Sequence, residues 1–109
     1  MIGEIVIRVN RLPGLAREFQ NNVERVIAAH ALQCEALAKT KAAVDTGALR
    51  NSIQAQPVNS LEWEVGPAVD YGIFVELGTV KQAPQPYMTP AAEAVSGPFI
   101  AAMRRAVDV

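Results

Sequence analysis

Leu15–Ala43, LAREFQNNVERVIAAHALQCEALAKTKAA, is the stretch that sets the architecture of this chain. Phe19, Val23, Val26, Ile27, His30, Cys34, Leu37 and Ala38 recur at steps of three and four, the spacing of one face of an α-helix. Arg17, Glu18, Asn21, Glu24, Arg25, Glu35 and Lys39 fall on the opposite face and give it mixed charge. Nearly thirty residues rising about 1.5 Å each span roughly 40 Å, enough to be the spine of a small domain. The alanines leave room for a neighbour to pack closely.

Outward from this helix the patterns shorten. Ile2 to Val9 alternates, with Ile5, Ile7 and Val9 on one side and Glu4 and Arg8 on the other, which predicts a first strand. Leu12-Pro13-Gly14 separates it from the helix, and Asp45-Thr46-Gly47 predicts the helix stop and a chain reversal. Leu49–Val58 and Leu61–Val65 flank Asn59-Ser60 and read as an antiparallel hairpin with Trp63 toward the core. After Gly66-Pro67, Asp70 predicts the cap of a short helix, Tyr71–Leu77, with Tyr71, Phe74 and Val75 as its apolar face and Gly78 as its end. Val80 to Met88, with Pro84 and Pro86, reads as an extended surface loop. Thr89-Pro90 opens a last helix to about Val107, in which Gly97-Pro98 predicts a kink or split. The expected fold class is α+β, a small antiparallel sheet packed against one long amphipathic helix, with a short helix and a C-terminal helix.

A length of 109 residues suits a single domain, 1–109. Half of the residues are hydrophobic and 19% are charged, a globular balance rather than a disordered one. The net charge of -1 argues against a domain devoted to neutralising phosphates. Residues 51–100 nevertheless hold one base, Lys81, against Glu62, Glu64, Asp70, Glu76 and Glu93, so the middle of the chain is acidic. One cysteine, Cys34, forms no internal disulfide or Cys/His metal cluster, which fits folding in a reducing cytoplasm. No basic leader precedes an apolar run, and no uncharged apolar stretch reaches about 18 residues, so neither secretion nor membrane insertion is expected.

Few residues suggest chemistry. His30 and Cys34 lie one turn apart on the apolar stripe, and both read as packed residues, because catalysis or metal binding needs partners that the sequence does not cluster. Gly72, Gly78 and Gly97 form no phosphate-cradling pattern. Glu62 and Glu64 share one strand face, the pattern of an exposed face more than of a catalytic carboxylate pair. Glu76, between Val75 and Leu77, is expected to pair with Arg50 or Lys81 across a fold or subunit contact. No catalytic, cofactor or metal site is expected.

Asp45, Thr46, Gly47, Leu49, Arg50, Ser52 and Ile53, followed by Tyr71, Val75, Glu76, Gly78, Thr79, Pro86, Pro90 and Ala91, occur in an order and at a spacing that resemble the head-tail joining, or tail-completion, family of tailed bacteriophages, whose members are minor tail proteins of the virion neck. Ala43 stands where that family often has proline, Gly72 where alanine commonly follows the tyrosine, and Tyr87 where phenylalanine is common. The resemblance implies a tail-terminator-like fold and assembly as a homo-oligomeric ring at the junction of head and tail. It further implies head-completion or adaptor proteins and tail-tube or tail-terminator proteins as partners, at most passive contact with passing DNA, and localisation in the virion after assembly in the host cytoplasm.

A heterologous interface closes into a ring when its rotation permits, and exposed loops then supply contacts to the partners on either side. Lys81, Gln82, Gln85, Tyr87 and Met88 of the proline loop are the candidate contacts. Glu62 and Glu64 are candidates to line a DNA conduit, where like charge keeps the genome from sticking. The expected function is a non-enzymatic structural part of the phage neck. The alternatives are a small intracellular regulatory or nucleic-acid-associated module, which would bind DNA with steep salt dependence, and an enzyme using His30 and Cys34, which would need a reactive thiol.

Overall fold

The computed structural model describes residues 7–9, 17–42, 47–81 and 83–107. They form β1 (Ile7–Val9), α1 (Arg17–Lys41), α2 (Gly47–Ser52), β2 (Gln54–Asn59), β3 (Glu62–Gly66), α3 (Gly72–Leu77) and α4 (Met88–Val107). The class is α+β, as the sequence predicts. Of the expected first strand, Ile7–Val9 lies among the described residues; Asp45, Thr46 and Gln82 lie outside them.

Burial along α1 follows the helical period, with Val23, Ile27, Ala31, Cys34, Ala38 and Ala42 all facing inward. Beyond Ile27 this stripe is made of small residues, so other elements approach its backbone closely. α4 is the main one, running antiparallel to α1 with Met88, Ala91 and Val95 inward. The last turn of α1 is closed by the Arg50 Nε, which donates to the Lys39 carbonyl at 2.9 Å, and by the Thr40 hydroxyl on the Leu37 carbonyl. Thus the cation of the Asp-Thr-Gly segment holds the helix that precedes it.

The sheet has the order β1-β3-β2, antiparallel throughout, with Val9 opposite Trp63 and Ala55 opposite Val65. Val65 is fully buried, and Trp63 is half-buried against the core. At the hairpin the Asn59 Oδ1 accepts the Leu61 N–H, a local turn bond that explains the Asn-Ser signal. β2 lies at a sheet edge, where Pro57 needs no ladder partner and the pairing slips between Pro57 and Asn59. Its Ala55 N–H is satisfied instead by the Glu35 carboxylate of α1 at 2.6 Å, and Glu35 also sits 3.9 Å from the Lys39 ammonium.

Two local expectations are corrected. Leu49–Ser52 is helical rather than the start of a strand, because Leu49 and Ile53 both reach the core at a spacing of four while Asn51 between them is exposed. A strand would have put all three on one side. The last helix starts at Met88, one residue before Thr89, and passes through Gly97-Pro98 as a single element.

Leu49→Ala is expected to lower the unfolding free energy by about 2–5 kcal/mol, the range for truncating a fully buried leucine, measured by urea denaturation.

Candidate functional site: an interaction surface

The region around α3 combines a buried polar lock with an exposed apolar stripe. Glu76 is only 5% exposed. Its Oε1 accepts the backbone N–H groups of Tyr87 at 2.9 Å and Met88 at 2.8 Å, and its Oε2 accepts that of Thr89 at 3.2 Å. These are the donors that the first turn of any helix leaves without an internal partner. The carboxylate of α3 therefore caps α4 from a distance, with its charge at the positive end of the helix dipole. Burial alone would raise its pKa, but the backbone bonds from Tyr87, Met88 and Thr89 and the Thr89 side chain outweigh it and hold the carboxyl below its ordinary value. Glu76 does not pair with Arg50 or Lys81, as the sequence suggested; its counter-charge is a helix terminus, and the Arg50 Nε binds the Lys39 carbonyl.

Tyr87 completes the lock. Its ring is fully buried, and its hydroxyl donates to the Gly72 carbonyl at 2.8 Å. Burial, and then the Glu76 charge, push this phenol's pKa upward, so it stays a donor. A Cβ on Gly72 would lie 2.8 Å from that hydroxyl and 2.7 Å from the Pro67 ring. The Tyr87 hydroxyl and a methyl at position 72 would thus compete for one space, and the oxygen fits because residue 72 is glycine.

The proline loop is anchored at its end rather than free. The Gln85 N–H donates to the Val75 carbonyl at 2.8 Å, and Tyr87 and Met88 are core residues. That corrects their placement among the candidate contacts, since a side chain buried in its own subunit reaches no partner. Lys81, Gln85, Pro84 and Pro86 are exposed, and the Thr79 hydroxyl accepts the Lys81 N–H in a local turn. Pro90 is half-buried beside the cap, Thr79 is exposed just beyond α3, and Ser52 ends α2, its hydroxyl donating to the Leu49 carbonyl. Asp70 makes no cap; Tyr71 stands at the start of α3 without a side-chain bond, and Gly78 ends it at φ 78°.

The apolar face expected for α3 is divided, since Val75 packs against the core while Tyr71 and Phe74 do not. Gly72 and Glu76 point inward, whereas Tyr71, Phe74 and Leu77, three residues apart, point out and are 41%, 56% and 66% exposed. Val80 extends this apolar stripe fully into solvent. The spacing of three was visible in the sequence; the burial of a carboxylate opposite it was not.

His30, Cys34 and Glu62 are all engaged within the fold. The His30 Nδ1–H donates to the Val26 carbonyl at 2.8 Å, and the ring meets Phe99 edge-on at 5.4 Å. Cys34 is buried, which raises its thiol pKa and keeps it protonated. Glu62 is also buried, near the Asn59 amide at 3.5 Å, which removes it from any solvent-lined duct wall; Glu64 lies opposite Arg8 in the sheet register. Among the described residues no group of His, Cys, Asp or Glu could hold a metal, and no helix is long and apolar enough to cross a membrane.

The family model described as "Bacteriophage HK97-gp10, putative tail-component" matches residues 8–78. The chain belongs to the HK97-gp10-like family. Its role is thereby that of a phage tail component, and the family points to a structural protein of the virion rather than an enzyme. The match takes in the sheet, α1, α2 and α3 with Glu76, and ends at Gly78, before the helix that Glu76 caps. Neither a curated protein nor a solved structure matches this HK97-gp10-like chain significantly.

Glu76→Gln is expected to cost about 1–3 kcal/mol of stability by weakening three buried bonds. Because the folded pKa of Glu76 lies below its ordinary 4.5, its contribution is complete above that pH and is lost as pH falls through the folded value. Urea titrations from pH 7 to 3 should show the wild type losing this increment and Glu76→Gln lacking it. Gly72→Ala alone should destabilise by about 1–3 kcal/mol, and pairing it with Tyr87→Phe should recover part of the loss, leaving only the Pro67 ring to give way. A double-mutant cycle with strictly additive effects would refute this coupling.

Proposed function

We propose that this tail component works in the neck of the virion, where copies of a single-domain subunit assemble as a ring that completes the tail end or joins head to tail. The observation that carries the reading is the stripe Tyr71, Phe74, Leu77 and Val80 on a chain of this family. Large side chains aligned on one exposed face are costly to leave in water, and such patches mark protein–protein contacts. The rigid mounting of α3 on α4 supports the same reading, because a contact helix held by three hydrogen bonds loses little entropy on docking. Lys81 and Gln85 flank the stripe and would meet the neighbouring adaptor, tail-tube or terminator subunits. Assembly then proceeds in the host cytoplasm, and the chemistry is association without turnover.

An early stop codon in this gene, in the phage or inducible prophage that carries it, followed by electron microscopy of the lysate, tests the reading. Full heads beside separate tails of normal length are expected for a joining role. Overlong or ragged tails would mark a terminator, and intact infectious virions would refute a neck function.

A further inference from the structure

At the end of the molecule remote from α3, the first turns of α1 and the last turns of α4 leave a groove of about 430 Å³ lined by Asn22, Arg25, Val26, Ala102, Arg105 and Ala106. Its wall is apolar and includes small residues, and its charge is positive. The Asn22 Oδ1 accepts from the Arg25 guanidinium at 3.2 Å, which orients that cation. Among the described residues Arg105 makes no ion pair, and neither does Asp70, which immediately precedes the α3 stripe. One surface is thus an apolar ridge with a carboxylate at one end, the other an apolar groove between arginines.

We infer that the α3 ridge of one copy seats in the α1–α4 groove of the next, with Asp70 toward Arg25 and Arg105. This identifies the self-contact of the proposed ring and rests on that reading. The two surfaces share no residue. Met88, which the Glu76 lock holds beside α3, and Arg105 are separated along α4 by roughly 25 Å at about 1.5 Å per residue, so one copy can use both at once. The contact is heterologous, each subunit giving its ridge forward and its groove backward. Tyr71, next to Asp70, brings an aromatic face within reach of the arginines, a pairing favoured when water is displaced. Lys81, at the other end of the stripe, repels the arginines in the reversed orientation, so the charges select one direction of docking.

Sedimentation velocity of the full-length chain over a concentration series tests this contact. Phe74→Asp, and separately Arg25→Glu with Arg105→Glu, should each weaken self-association by about tenfold or more, the effect of losing a central anchor or reversing the facing charges. Their melting curves should stay near wild type, since these side chains are exposed. Mixing the two variants should restore pairs and nothing larger, because one retains an intact groove and the other an intact ridge. Asp70→Arg combined with Arg105→Glu should recover association that either change alone loses. A wild type that stays monomeric throughout, an unaffected variant, or a mixture that fails to pair would overturn the contact. So would salt-sensitive binding of a short DNA duplex that is lost with the two arginine changes while self-association persists. Failure of the neck reading looks different: self-association as described, but intact virions from the stop-codon phage.

Discussion

The Glu76 carboxylate beneath the first turn of α4 is the constraint on which the rest of this fold depends. A buried charge is tolerated only when its bonds are replaced, and here three backbone N–H groups replace them. The bond joins parts of the chain 11 to 13 residues apart and fixes the start of α4, the exit of the proline loop and the orientation of α3 together. With Glu76 and Gly72 inward, the three-residue spacing leaves Tyr71, Phe74 and Leu77 no direction but outward. The exposed stripe is therefore a consequence of the lock.

A second set of contacts holds the other half of the subunit. Glu35 secures the edge strand to α1, and Arg50 closes the C-terminal end of the same helix. Both are charged groups that bind backbone atoms, so their geometry is fixed by main-chain positions. Small residues along α1 then let α4 lie close, and the ends of these two helices form the open groove. Stability and surface shape come from the same packing.

The long elements were legible in the sequence because their signal is repeated. The period of α1 extends over several turns, and the hairpin is marked by Asn59-Ser60 and by alternation through Trp63 and Val65. The α+β class followed from these patterns, and the family resemblance from the residues at 45–53 and 71–91. α2 was misread because six residues hold too few repeats to separate a strand from a helix. Grouping Tyr71 and Phe74 with Val75 by hydrophobicity missed the division of α3, because the donors that draw Glu76 inward are main-chain groups without any residue signature. For the same reason Tyr87 looked like a loop contact until its hydroxyl was seen on the Gly72 carbonyl. The groove depends on which turns of two helices meet, a fact that neither helix carries alone.

Pro57 and the slipped pairing of β2 have a consequence for the proposed assembly of many copies. A row of open main-chain donors and acceptors at a sheet margin invites any extended segment to zip alongside, and crowding of identical subunits multiplies the chance. By deleting one donor and breaking the straight run between Pro57 and Asn59, the chain blunts that margin. Growth by strand addition into open-ended fibres is disfavoured, and encounters between copies are left to the helical surfaces, whose geometry can come to an end.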